Sequence, residues 1–180
     1  MRDGHVAGWV GVGGVGEGPH GTDAWIQIGL SAFPQDATSR IYYEIARPGR
    51  TPVYRELSRS VRAGERHRFV VLEVQRRPGW WRVWLDGSPV TAPVFLPGSH
   101  ARWTAEVSGE SWSGSTTGAC NLYSYAFRDV SLASSENRLW GPVRRFDLFQ
   151  DANYRLVRNS LSSFVAADAA SAVRTLAASP

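Results

Sequence analysis

Gln27 is a neutral amide in the middle of a segment that has the pattern of a β-strand. Side chains alternate between two faces over residues 24–30 (AWIQIGL), as they do along a strand. One face is apolar, and the other carries Trp25, Gln27 and Gly29. The glycine leaves room for another molecule to approach the backbone. Gln27 is therefore either a solvent-facing residue of a half-buried sheet or an amide that faces a ligand.

Two further segments place glutamates on the less apolar face of a predicted strand. In residues 40–46 (RIYYEIA), Tyr42 and Glu44 share a face. In residues 100–107 (HARWTAEV), Arg102 and Glu106 lie opposite an apolar face that contains Trp103. A carboxylate can accept a proton from water near acidic pH, but a solvated glutamate on a strand has the same pattern. Both interpretations of Glu44 and Glu106 stay open on the residues alone.

The elements that must hold these residues are short strands. Turn signals recur every 8–15 residues, and no interior segment has a convincing helical period. We predict strands over residues 6–12, 24–30, 40–46, 52–57, 67–75, 80–85, 88–91, 100–107, 122–132, 142–149 and 154–166. This pattern is typical of an all-β, two-sheet antiparallel sandwich or jelly roll with an outer face open to a ligand. We expect one domain over residues 1–166 and an Ala-rich tail over 167–180.

The composition excludes several classes of function. All 20 basic residues are arginine and they are scattered, so the net charge of +4 does not form the clustered patch typical of nucleic-acid binding. Cys120 is the only cysteine, which rules out an intrachain disulfide. No apolar run approaches the roughly 20 residues of a membrane span, and the first residues do not resemble a signal peptide. The four histidines lack metal-ligand spacing, so we expect no metal.

Five short motifs follow one another along residues 7–150, namely GWVGV, IQIGL, YYEI, ARWTAE and FRDVSL, which begin at Gly8, Ile26, Tyr42, Ala101 and Phe127. In that order they resemble the AWVGIDG, LQTGV, WYEWY, AEWIVE and FGTVTF motifs of the glutamic peptidases, or eqolisins. The resemblance implies a concanavalin-like β-sandwich with a cleft on one sheet. The first strands of the family have no counterpart here, so the chain is also open to being a fragment.

The resemblance also implies an acid-acting endopeptidase that uses neither metal nor cofactor. Glu106 would be the general base that activates a water, and Gln27 would hold that water and donate hydrogen bonds to the oxyanion. We expect these two side chains on neighbouring strands, facing one cleft. The residues expected to contact the substrate are Trp9, Trp25, Tyr42, Glu44 and Arg102. The implied protein is a secreted monomer that acts on polypeptides.

The chain departs from the family pattern at several positions. Ser31 replaces an aspartate, Arg102 replaces the first glutamate of AEWIVE, and Ala46 replaces the second tyrosine of WYEWY. We expect Arg102 to lie on the same face as Glu106 and to lower its pKa. Glu110 is an alternative catalytic glutamate if the strand runs further. We prefer Glu106, because that register keeps Trp103 and its apolar neighbours in the core.

These departures support a second hypothesis, a non-catalytic module that binds a polysaccharide or an extended peptide. Its outer face would carry Trp9, Trp25 and Tyr42, with Trp80 and Trp84 as further candidates. Aromatic rings and amides on a sheet are suited to stacking on sugars and to hydrogen bonding with them. A third hypothesis is a structural domain that packs on another segment.

Overall fold

The structure is a computed structural model that describes residues 4–112, 121–145 and 147–168. Strands dominate these residues, and a single 3₁₀ turn occupies Pro19–Gly21. The strands are β1 (His5–Gly14), β2 (Ala24–Ala32), β3 (Ser39–Ala46), β4 (Val53–Val61), β5 (Phe69–Glu73), β6 (Trp80–Leu85), β7 (Ser88–Pro89), β8 (Val94–Phe95), β9 (Ala105–Trp112), β10 (Ser124–Phe127), β11 (Ser131–Leu132), β12 (Gly141–Pro142), β13 (Tyr154–Arg158) and β14 (Phe164–Asp168). None of the described residues belongs to a helix long and apolar enough to cross a bilayer.

The largest sheet has five strands in the order β4-β3-β2-β1-β9, all antiparallel. Two hairpin connections, β1 to β2 and β2 to β3, build its centre, and β9 returns from far along the chain to pair with β1. A second group of strands pairs β5 with β6, and β6 with both β7 and β8. A third sheet has the order β10-β14-β13.

The core lies between the five-stranded sheet and the strands β5, β6 and β8. The apolar face of β2 enters this core, and Ile26 and Ile28 are fully buried. From the opposite layer they meet Val83 and Leu96, which are also fully buried. Burial against another sheet therefore explains the apolar face of β2, whereas Gln27 and Ser31 on the opposite face are buried outside this core.

The third sheet covers the other part of the same inner face, and glycines make this contact possible. Gly8 on β1 lies against the Tyr125 ring, where an added Cβ would be 2.5 Å from Cγ of that ring. Gly109 on β9 pairs with Gly8 and lies against Ala166 in the same way. A Cβ added to Gly109 would be 2.7 Å from Cβ of Ala166. The structure is therefore an all-β sandwich, as the sequence predicted, with a second layer divided between two smaller sheets.

Several predicted boundaries were wrong. The strand expected over 100–107 is β9, Ala105–Trp112, and Trp103 lies before it. The strand expected over 122–132 is interrupted between β10 and β11, and among the described residues of the one expected over 142–149 only Pro142, at the end of β12, lies in a strand. Ala167 was expected to begin the tail, but it is fully buried in β14. Asp168 of the expected tail is also buried in β14, and residues 169–180 and Cys120 lie outside the described residues.

Candidate functional site

Gln27 and Glu106 lie in one row of paired residues across the five-stranded sheet. Gln27 pairs with Gly11 on β1, and Gly11 pairs on its other side with Glu106 on β9. Directly paired residues point to the same side of a sheet, so both side chains project from the outer face, away from the core. The expectation that their strands are neighbours was wrong, because β1 lies between them. At about 4.8 Å per strand, the Cα atoms are roughly 10 Å apart.

Gln27 is held in place from the β3 side of the row. Its side chain is buried, and Nε2 donates a hydrogen bond of 3.1 Å to the hydroxyl of Tyr42. Tyr42 is itself only 2% exposed, and burial raises the pKa of its hydroxyl far above the ordinary value. Tyr42 therefore stays protonated and fixes one end of the Gln27 amide. The alternative in which Gln27 is a solvent-facing residue of a half-buried sheet was therefore wrong.

Glu106 lies at the other end of the row, close to the edge of the sheet. The residue as a whole is exposed, but partial burial of its carboxyl group raises its pKa, and the nearby carboxylate of Glu17 raises it further. Arg102 does not have the effect expected from the sequence. It lies in the turn before β9, where its backbone N–H donates to the carbonyl oxygen of Ser99, and its side chain is exposed. The expected lowering of the Glu106 pKa by Arg102 was wrong.

Glu110, the alternative glutamate, also projects from the outer face, four residues further along β9. Its Oε1 lies 3.2 Å from Nε2 of His5 on β1. The charge of Glu110 also acts on Glu44. Burial and this charge raise the pKa of Glu44, whereas His5 lowers it. Glu44 pairs with Gln27 across β2 and β3. Within the described residues, the outer face of the sheet therefore carries Glu44, Glu106, Glu110 and, on β4 beside Tyr42, Glu56; Glu110 lies at the His5 end.

A pocket of about 210 Å³ opens on this face next to Tyr42 and Glu44. We name it the His5 pocket; its lining residues are His5, Ser31, Phe33, Tyr42, Glu44 and Tyr54. Ser31 is almost completely buried, and its hydroxyl lies 2.9 Å from that of Tyr54. The Tyr54 ring stacks on the Tyr42 ring with centroids 5.0 Å apart. Ser31 stands where the resemblance expects an aspartate, and its hydroxyl bonds a tyrosine instead.

Trp9 and Trp25 occupy the rows on either side of the Gln27 row. Trp9 lies between Gly29 on β2 and Ser108 on β9, and Gly29 admits its close approach. The Trp9 Nε1 is buried and has no hydrogen-bond partner within the described residues. Trp25 pairs with Gly13 and Ala46. The structure thus brings Trp9, Trp25, Tyr42 and Glu44 to one face.

Sequence reasoning missed His5, Phe33 and Tyr54. A signal for His5 was present, since His5, Trp9 and Gly11 share the same strand parity, and extending β1 by one residue places His5 on the outer face. Tyr54 was inside a predicted strand but was not assigned to a face. Nothing in the local pattern identifies Phe33, which follows the end of β2 and reaches the pocket through the turn. Trp80 and Trp84 belong to β6 in the other layer and do not join this face.

The described residues contain no group of three or more His, Cys, Asp or Glu side chains arranged to hold a metal ion. The outer face also has side chains with chemistry of their own. It offers an amide fixed by a hydrogen bond, a carboxylate of raised pKa in the same row, and a pocket with aromatic walls and hydroxyl groups.

Comparison with solved structures gives one similar protein, aspergilloglutamic peptidase from Aspergillus niger. The two share 17% sequence identity, and the alignment covers 91% of this chain and 98% of that one with a TM-score of 0.58. No family model matches the sequence, and no curated protein matches it. The likeness shows that the chain has a glutamic-peptidase-like fold, which confirms the resemblance at the level of fold.

Proposed function

We propose that the protein is an endopeptidase that hydrolyses polypeptides at acidic pH with Gln27 and Glu106 as its catalytic pair. The observation that supports this most directly is the row in which the two residues lie. Gly11 stands between them and has no side chain, so no side chain of β1 separates Gln27 from Glu106. Two long side chains that lean towards each other across this row could contact one water between them. The fold shared with a glutamic peptidase agrees with this proposal.

In the proposed reaction, the Glu106 carboxylate removes a proton from the bridging water, and the water oxygen attacks the carbonyl carbon of the peptide bond. The carbonyl oxygen becomes an oxyanion and accepts a hydrogen bond from the Gln27 amide. One amide hydrogen is committed to Tyr42, which leaves the other for the oxyanion. Protonated Glu106 then returns its proton to the leaving amine, and the C–N bond breaks.

The electrostatics of Glu106 suit this role. Burial and the charge of Glu17 raise the pKa of Glu106, which makes its ionised carboxylate a stronger base. Glu110 is less suited, because four residues of strand separate its row from that of Gln27, a distance of about 13 Å. Its carboxylate is also engaged by His5.

The test is digestion of an unfolded protein between pH 2 and 6 by the wild type and three variants. We expect Gln27→Ala and Glu106→Gln each to reduce kcat by about 100-fold or more, the size of effect seen when an oxyanion donor is removed. Glu110→Gln should stay within several-fold of the wild type. If Glu110→Gln is inactive and Glu106→Gln is active, the pair is wrongly assigned. If the wild type digests nothing, the peptidase proposal fails.

The buried, unpartnered Nε1 of Trp9 favours one other function, a non-catalytic module that binds a polysaccharide or an extended peptide. A donor without a partner in a face lined with rings is suited to a ligand oxygen. Binding of soluble polysaccharides that Trp9→Phe abolishes, together with an inactive wild type, would support this function.

The proposal extends to the surroundings of the enzyme. An acid-acting peptidase requires an acidic medium, and we propose that it is a secreted monomer that folds as one domain. Detection of the activity in culture medium, and a single species of about 20 kDa on size-exclusion chromatography, would support these points.

A further inference from the structure

The His5 pocket has the size of a site for a single side chain. Its volume of about 210 Å³ is below the roughly 300–1,000 Å³ of pockets that enclose a whole small molecule. It opens on the outer face beside Tyr42, whose hydroxyl holds the Gln27 amide. A polymer that lies across this face with a reacting group at Gln27 would therefore have one of its side chains near the pocket.

The charged groups around the pocket are dominated by carboxylates. Glu44 lines the pocket, and Glu110 stands behind His5, 3.2 Å from its Nε2. The Arg40 guanidinium lies over the ring of Phe33 in the pocket wall, but it is engaged by Asp36 and by Glu56, the latter at 2.8 Å. The charge of Arg40 is thus already balanced. Glu44 and Glu110 therefore place two carboxylates in and beside the pocket.

The walls of the pocket are aromatic. The rings of Phe33, Tyr42 and Tyr54 line it, with Tyr42 and Tyr54 stacked and Phe33 edge-on to Tyr54. Ring faces attract cations through their quadrupole. Phe33 already shows this, since the Arg40 guanidinium lies 5.1 Å from the centre of its ring. A carboxylate with aromatic walls is a combination that selects a cation with an apolar stem, as in lysine and arginine.

We propose that the His5 pocket binds a lysine or arginine side chain of the polypeptide, with Glu44 as the residue that selects the positive charge. Cleavage of the bound polypeptide rests on the proposed function, whereas binding of its side chain in the pocket is independent of that function. Neutral side chains of similar length would leave the half-buried Glu44 carboxylate without a partner, which is unfavourable.

The preference should depend on pH in a defined direction. The titratable groups that face the pocket are Glu44 and Tyr42 on β3, Tyr54 on β4, His5 on β1 and Glu110 on β9. The tyrosines stay neutral in acid, because burial raises the pKa of each. As the pH falls, Glu44 loses its negative charge at a higher pH than an ordinary glutamate, because burial and the charge of Glu110 raise its pKa. The attraction for a cation should therefore weaken from pH 6 to pH 3.

The experiment measures binding and cleavage separately with two end-capped peptides that differ at one position, lysine or the uncharged norleucine. Calorimetric titration of the Glu106→Gln variant at pH 6 should give at least a 10-fold tighter Kd for the lysine peptide, and about a 3-fold or smaller difference at pH 3. Adding Glu44→Gln should bring the two Kd values within 2-fold at pH 6. Adding Glu65→Gln instead, which removes the same charge from an exposed turn, should leave the preference unchanged.

The outcomes separate this inference from the proposed function. Preferential binding of the lysine peptide without cleavage by the wild type would support the pocket and refute the peptidase. Equal binding or cleavage of both peptides, tighter binding of norleucine, no binding of either, or the same loss with Glu65→Gln would refute the pocket. If Glu44→Gln does not fold, Tyr54→Leu on the exposed side of β4 replaces it, and the lysine preference should fall several-fold.

Discussion

Gly11 is the residue whose replacement tests most directly how the site is built. It lies in the row between Gln27 and Glu106, and its environment leaves no room for a methyl group. A Cβ at this position would lie 2.7 Å from the carbonyl oxygen of Ile26 and 2.8 Å from Cβ of Gln27. Neither atom can move by rotating a flexible side chain. Gly11→Ala must therefore displace the backbone of β2 at the residue that carries the amide.

The magnitude follows from the cost of overpacking. Inserting a methyl group into a closely packed site typically destabilises a protein by about 1–3 kcal/mol. For a chain of this size, each 1 kcal/mol lowers Tm by roughly 2–4 °C, so we expect a decrease of about 2–12 °C. If Gln27 is catalytic, the same displacement should also reduce kcat by as much as about 100-fold.

Gly14→Ala is the matched control, since it makes the same substitution at the end of the same strand. The nearest atom to a Cβ there is Cγ of Glu17 at 3.6 Å, an ordinary contact. We expect its Tm to equal or slightly exceed that of the wild type, because alanine restricts the unfolded chain more than glycine. The assay is thermal unfolding monitored by tryptophan fluorescence. A Gly11→Ala protein that melts within 1 °C of the wild type, or a Gly14→Ala protein that melts as low, would refute the packing argument.

Two further predictions concern the charge beside Glu106 and the core beneath it. The Glu17 carboxylate raises the pKa of Glu106, so Glu17→Gln should lower that pKa and move the acidic limb of the pH–rate profile to lower pH. The control Glu65→Gln should leave the acidic limb in place. An acidic limb that does not move in Glu17→Gln would contradict the coupling between Glu17 and Glu106. Leu96 is fully buried, whereas Leu139 is 95% exposed. Leu96→Ala should therefore lower the free energy of unfolding, measured in urea, by about 2–5 kcal/mol, and Leu139→Ala should lower it by less than about 0.5 kcal/mol. Similar losses in the two variants would contradict the described core.

The sequence predicted the central strands well because their alternation has one cause. Over β2, burial against β5 and β6 leaves an apolar face, and the outer face is free to carry Gln27. The order of the strands was not accessible in this way. β9 joins the sheet beside β1 through a pairing between residues nearly 100 positions apart, for example Gly11 with Glu106, and no local pattern encodes such a pairing.

The boundary of β9 shows why alternation alone can mislead. Trp103 has the same parity as Val107, so a strand over 100–107 and one over 105–112 predict the same faces. Trp103 is packed for a different reason. Its ring stacks near that of Trp81, and its Nε1 donates to the carbonyl oxygen of Glu17. The backbone turns at Ala101, where φ is 54°, so a strand cannot run from His100 through Trp103.

The row that contains Glu44, Gln27, Gly11 and Glu106 has a mechanical consequence. Neighbours in this row are paired residues on adjacent strands of one continuous sheet, and no loop carries any of the four. Their spacing can therefore change only if the sheet itself flexes, and it then changes for all of them together. Such a framework is set before any ligand arrives, so little conformational entropy has to be lost on binding. Insertions at the tip of the Arg47–Arg50 turn should leave the row undisturbed, whereas a distortion of β1 should be felt across its whole width.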